Sequence, residues 1–233
     1  MVLISQITNG KSLYSKLRTK HNLAEAWRRV YDNGIKSESI DTQKAVKEFN
    51  IDYATKLKTI QKKLQQNRYK FKQPIGIPIS RPGKDPRPIV LWDIHDRIVQ
   101  RAILNIIQAQ DSVKKYVNVP TSFGGIEGQS VRKAIFHVCE SIKSGLVYYI
   151  TSDIQKFFTR IPRTEVIKAL ANLLPDQSLR EILDQASKTE LDNLSQLGSK
   201  KELFPIHEVG VVFCCPLHIG YPTLHGSFFR TGS

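Results

Sequence analysis

Apolar residues recur at helical spacing over much of the chain, and the phase of the recurrence marks the elements. In residues 11–33, Leu13, Leu17, Leu23, Ala26, Trp27 and Val30 recur at mixed helical spacing. They predict one or two helices with a break near His21-Asn22, ending near Asn33-Gly34. Gly34 to Asp41 is polar and predicts a loop. From Thr42 to Gln66 a second stripe follows, of Val46, Phe49, Ala54, Leu57, Ile60 and Leu64, with Lys56, Lys58, Lys62 and Lys63 on the opposite face. A basic amphipathic helix of this kind is equally well a solvated surface or a contact for backbone phosphates.

Between residues 68 and 91 the period shortens to two. Tyr69, Phe71, Ile75, Ile77 and Ile79 alternate, Arg81-Pro82-Gly83-Lys84-Asp85-Pro86 breaks the run, and Arg87-Pro88-Ile89-Val90-Leu91 resumes it. Two antiparallel strands joined by a basic Gly/Pro turn are the simplest account. Helical spacing returns over Asp93 to Gln108 through Ile94, Ile98, Ala102, Ile103, Ile106 and Ile107, with Arg97 and Arg101 one turn apart on one edge. A glycine-rich loop, Ser122 to Ser130, leads into a helix through about Ser141. Val147 to Thr151, β-branched and aromatic, predicts a short buried strand that delivers Asp153 to its mouth. A carboxylate there suits a helix cap, a structural ion pair or a metal ligand. Further helices are expected from Pro162 through Leu174 and from about Ser178 to Leu194. Gly210 to Ser233 follows neither period.

Composition narrows the field. Of 233 residues, 40% are hydrophobic and 24% charged, which suits a folded core rather than disorder. No apolar run approaches the ~20 residues that a membrane-spanning helix needs. Cys139, Cys214 and Cys215 form neither a disulfide framework nor a metal-ligand spacing, and no secretory leader is evident, so reducing cytoplasm is the expected compartment. Charge is the most informative quantity. Residues 1–150 hold 26 Lys and Arg against 12 Asp and Glu, whereas residues 151–233 hold 9 of each. The whole net charge of +14 therefore lies ahead of the strand-end aspartate, as expected for a face that meets a polyanion.

Four blocks in series carry a family likeness. They are RPGKDPRPIV, then DIHDRIVQRAIL, then TSFGGIEGQS, then YYITSDIQKFFTRI. In this order and spacing the chain resembles bacterial reverse transcriptases of the group II intron, retron and antiviral-defence type, over roughly residues 25–212. The resemblance implies an α/β (α+β) fold with fingers, an incomplete ferredoxin-like palm and no thumb in residues 1–233. It implies an N-terminal helical region over residues 1–66, fingers with the hairpin over 67–135, a partial palm over 136–212, and an aberrant tail over 213–233.

It also implies chemistry: RNA-directed DNA polymerisation, in which a primer 3′-hydroxyl attacks the α-phosphate of a deoxynucleotide with the help of two Mg²⁺ ions. Asp153 corresponds to the first metal-binding carboxylate and the main-chain carbonyl of Ile154 to an auxiliary ligand. Phe158 corresponds to the aromatic that excludes a 2′-hydroxyl. Arg87 and Lys84 correspond to the basic groups that grip the triphosphate of the incoming dNTP. Arg97 and Arg101 are assigned to the template backbone or to structure. The implied partners are an RNA template, a DNA primer and dNTPs.

The chain departs from the family after FPIHEVGV. At Val212-Phe213-Cys214-Cys215 the expected Pro-Gln-Gly block fails, and the sequence contains no Asp-Asp pair anywhere. The second metal-binding carboxylate is therefore missing, and residues 1–233 by themselves are expected to be inactive as a polymerase. A shift of reading frame near Val211 would account for both the loss and the unpatterned tail, since degenerate codons for Pro216 to Leu224 permit a Leu-rich alternative. The alternative reading, from a different class, is a non-catalytic RNA-binding module that uses the basic fingers.

Overall fold

A computed structural model describes residues 11–124, 128–152, 162–188 and 190–204. Among these residues the fold is mixed: nine α-helices and one two-stranded antiparallel sheet. The helices are α1 (Leu13–Leu17), α2 (Lys20–Ile35), α3 (Ile40–Asn50), α4 (Tyr53–Gln65), α5 (Ile94–Gln108), α6 (Asp111–Val117), α7 (Val131–Lys143), α8 (Arg163–Leu173) and α9 (Arg180–Ser187). The strands are β1 (Ile75–Arg81) and β2 (Lys84–Leu91), and 3-10 turns run from Leu194 to Leu203 with a break at Gly198.

Side-chain caps set the helix starts. Ser12, Thr19 and Ser39 accept from the backbone N–H groups of Ser15, Asn22 and Thr42, each satisfying a donor left open in the first turn. The break in the first helical stretch therefore falls at Arg18-Thr19, just ahead of the expected His21-Asn22. The stretch expected as one helix from Thr42 to Gln66 is two, because Asp52 (φ −140°, ψ 50°) leaves helical geometry between α3 and α4. The phase resets there, which turns Ala54 outward while Leu57, Ile60 and Leu64 stay buried.

One core serves most of these elements. Leu13, Leu17, Leu23, Trp27 and Val30 of α1 and α2 pack with Val46 and Phe49 of α3 and with Leu57, Ile60 and Leu64 of α4. Ile98, Val99, Ala102, Ile103 and Ile107 of α5 run through the middle, and Leu179, Ile182, Leu183 and Ala186 close the far side. Each fully buried Leu or Ile contributes about 1.5–3 kcal/mol from apolar area removed from water. This core crosses all the boundaries expected between the helical region, the fingers and the palm. The start of α1 is itself capped from a distance, because Asp176 Oδ2 accepts from Leu13 N at 2.9 Å and Ser178 Oγ from Tyr14 N at 2.9 Å.

Two expectations require correction. Val147 to Thr151 is not a buried strand: Tyr148 is 95% and Ile150 97% exposed, and none of residues 147–152 is in a ladder. A strand is buried only when neighbours satisfy its backbone, and β1 and β2, which form the one sheet among the described residues, pair with each other. The helix expected from Ser178 to Leu194 ends at Ser187 and gives way to the 3-10 turns.

Candidate nucleotide-gripping hairpin

The hairpin is built on a ladder that pairs Ile75 with Leu91, Gly76 with Val90, Ile77 with Ile89, and Ile79 with Arg87. Alternation then divides its residues between two faces. Gly76 lies against Leu191, Leu197 and Phe204, whose nearest atoms approach to 2.8–3.1 Å of the place a Cβ would occupy. Only glycine admits so close a neighbour. Asn193 clamps this side, accepting from Gly76 N at 2.8 Å and donating to Gly76 O at 2.9 Å, while Asp192 N donates to Pro74 O. The opposite face carries Ile75, Ile77, Ile79, Ile89 and Arg87, and its three β1 isoleucines are exposed. Arg87, half-buried, thus stands on the open face of the hairpin, and Lys84 is exposed at its tip.

The tip is a tight turn. Gly83 has φ +65°, a left-handed conformation that a side chain resists, and Arg81 pairs across it with Lys84. The Arg81 guanidinium donates from Nε and Nη2 to Asp85 O at 3.0 and 2.7 Å, stiffening the loop from within. Arg81 is thereby occupied with its own turn.

The base of the hairpin is fixed to α5 by two aspartates. Asp93 caps α5: its Oδ1 accepts from His95 N at 2.9 Å and lies 2.8 Å from His95 Nδ1, and its Oδ2 accepts from Lys72 Nζ at 2.7 Å. The hydrogen bond from His95, with that from Lys72, holds the Asp93 carboxyl well below the usual carboxylate range. Asp96, one turn on, is buried. Its Oδ1 accepts from Tyr69 Oη at 2.7 Å and its Oδ2 from Lys72 N at 3.0 Å. Burial pushes the Asp96 carboxyl up, and burial together with the Asp96 charge pushes the Tyr69 phenol up. These ties join the segment entering β1 to the helix leaving β2, so the hairpin projects from a fixed root.

Arg97 and Arg101 lie inside, only 5% and 8% exposed. Arg101 Nε donates to Asn105 Oδ1 at 2.9 Å. Asn105 donates in turn to Asn22 Oδ1, and Asn22 Nδ2 to the carbonyls of Leu17 and Ala102. Of the two roles considered for these arginines, template backbone or structure, this burial favours structure. Asp153, Ile154 and Phe158 lie outside the described residues, so the hairpin groups are the part of the expected site that the geometry reaches. Among the described residues no group of three or more His, Cys, Asp or Glu side chains is placed to hold a metal ion. No described helix is long and apolar enough to cross a membrane.

No family model matches the sequence. No curated protein matches it either. Among solved structures, the chain is similar to a partial Cas6-RT-Cas1–Cas2 complex and to a Cas6-RT-Cas1–Cas2 complex. The TM-score is 0.45 and the identity 16% in each case, over 79% of this chain. The chain spans 30% and 19% of those two chains.

The sequence missed Tyr69, Lys72, Asp93 and Asp96 as the residues that seat the hairpin. Asp93 carried a signal, since it immediately precedes the apolar run of α5 as a helix cap does. Asp96 and Tyr69 stand 27 positions apart and carried none.

Proposed function

We propose that residues 1–233 carry the fingers and the leading part of the palm of an RNA-directed DNA polymerase, a reverse transcriptase by descent. The observation that supports this most is the antiparallel hairpin from Ile75 to Leu91. It has Lys84 at its tip and Arg87 on its open face, and it runs directly into the Asp93-capped helix α5. That order is the one the first two sequence blocks imply. In this reading Arg87 and Lys84 neutralise and orient the triphosphate of a dNTP, Arg87 through its bidentate fork and Lys84 as a point charge. Asp153 and the Ile154 carbonyl would hold Mg²⁺, and Phe158 would exclude a 2′-hydroxyl at the sugar. Bound there, Mg²⁺ would supply charge neutralisation at the phosphates and alignment of the in-line displacement. With one palm carboxylate and no Asp-Asp pair, residues 1–233 bind primer–template without extending it.

The charge distribution favours a second reading, a non-catalytic RNA-binding module, because the whole net charge of +14 lies in residues 1–150. Binding of a labelled RNA–DNA primer–template, followed with and without Mg²⁺ and the matched dNTP, separates the two. The polymerase reading requires that Mg²⁺ and the matched dNTP together tighten the complex, and that Arg87→Ala with Lys84→Ala removes the gain. Binding with a steep salt dependence that ignores both additions selects the module.

A further inference from the structure

The basic face of α4 has a structural partner that the sequence did not reveal. Of its four lysines, Lys56 turns back onto α3. Its Nζ donates to Glu48 O at 2.7 Å and Phe49 O at 3.2 Å, and lies over the Phe49 ring. Lys58, Lys62 and Lys63 remain exposed. Lys58 and Lys62 are about one helical turn apart, ~6 Å along the axis, on the same stripe as Gln61 and Gln65. That stripe is bonded to the corner between α1 and α2. Gln61 Nε2 donates to Arg18 O at 2.9 Å, Arg18 Nη1 to Gln65 O at 3.3 Å, and Tyr14 Oη to Leu64 O at 2.9 Å. The corner adds Arg18 and the exposed Lys20. Two stretches 40 residues apart in the chain thus bring their cations to one edge.

Within their own stretches of chain nothing acidic dilutes them. No Asp or Glu occurs between Asp52 and Asp85, or between Lys11 and Glu25. Among the described residues, Asp176 reaches α1 at Leu13 N and near Lys16, and Glu181 near Tyr14. The exposed stripe is Lys58, Lys62 and Gln65 beside half-buried Gln61, with no apolar anchor. A protein partner is held mainly by buried aromatic or aliphatic anchors, whereas a phosphate backbone asks for a row of cations.

We propose that Arg18, Lys20, Lys58 and Lys62 form a second nucleic-acid surface, which binds the sugar–phosphate backbone of an RNA strand outside the hairpin. It reads charge and not sequence, and it holds whether or not the chain polymerises. The test uses the intact chain, a fluorescein-labelled RNA strand without secondary structure, and anisotropy titrations across a range of salt without Mg²⁺ or dNTP. Lys58→Ala with Lys62→Ala is expected to weaken binding roughly tenfold at low salt and to flatten the slope of log K against log salt by about 1.4. Both side chains are exposed on a helix that alanine favours, so an unchanged melting temperature is expected alongside. Lys114→Ala with Lys115→Ala on α6 removes the same charge from another helix and is expected to leave binding unchanged. The proposal is overturned if the α4 pair binds like the unmodified chain, or if both pairs lose affinity equally. It is also overturned if polyglutamate competes as well as unlabelled RNA of equal charge, which would select an acidic protein partner. Failure here leaves the Mg²⁺ and dNTP response of the hairpin untouched, so the two proposals fail separately.

Discussion

Tyr69 Oη donates a 2.7 Å hydrogen bond to Asp96 Oδ1, and this pair, buried at the root of the hairpin, joins the chain entering β1 to the helix that follows β2. Tyr69→Phe leaves the buried carboxylate short of a donor. A loss of about 1.5–3 kcal/mol in urea unfolding is expected, since the missing bond is to a charged group in a dry site. The phenol titrates higher in the folded state than in the unfolded chain, so its contribution is full below the unfolded pKa of about 10 and fades as pH rises beyond it. Stability of the unmodified protein should therefore fall in strong alkali, and Tyr69→Phe should remove that part of the fall.

Asp93 works in the opposite direction. Its folded pKa is depressed by His95 and Lys72, so its contribution is present above the unfolded value near 4 and lost as pH falls through the lower folded one. Asp93→Ala should remove both the cap on α5 and this acid sensitivity. It should cost about 1 kcal/mol near neutral pH, with a shallower decline on acidification. Chemical denaturation at a series of pH values measures both effects.

Glu25 accepts from Arg28 at 2.8 Å and from Arg29 at 2.9 Å. These hydrogen bonds, Arg28 first, pull its pKa down to about 2. Carboxylate NMR should show the Glu25 resonance titrating well below the ordinary glutamate range, and Arg28→Ala with Arg29→Ala should return it to that range. The pair is too exposed for a large change in stability to accompany the shift.

Gly34, in the last turn of α2, leaves no room for a side chain. A Cβ there would be driven onto Val46 Cγ1, and Val46 is fully buried with a stiff, branched side chain. Gly34→Ala should destabilise by about 1–3 kcal/mol through overpacking, despite the better helix propensity of alanine. A lowered urea midpoint with an unchanged slope would show that the loss is one of stability alone.

How much of this was legible in the sequence follows from the range of the interactions. The stripes Leu13–Val30 and Ile98–Ile107 and the alternation Ile75–Leu91 are local patterns, and each became the expected element. Cap positions were less legible. Thr19 and Asp52 moved or created helix boundaries that apolar spacing alone does not locate, and the reset at Asp52 turned Ala54 outward. The short α6, seven residues long, had too little pattern to find. The expected strand at residues 147–151 needed partners elsewhere in the chain, which no local pattern supplies. The inward course of Arg101 depended on Asn105 and, through it, on Asn22, 83 positions away in sequence. Long-range partners decide burial, and sequence spacing does not contain them.

Primer extension on an RNA template, with Mg²⁺ and dNTPs, tests the central claim most directly. Residues 1–233 are compared with a chain whose residues after Val211 follow the alternative reading frame. A polymerase by descent that lacks its second carboxylate predicts no extension by residues 1–233, extension by the frame-restored chain, and loss of that extension in Asp153→Asn. Extension by residues 1–233 themselves would contradict the account, as would a frame-restored chain that binds the primer–template and never extends it.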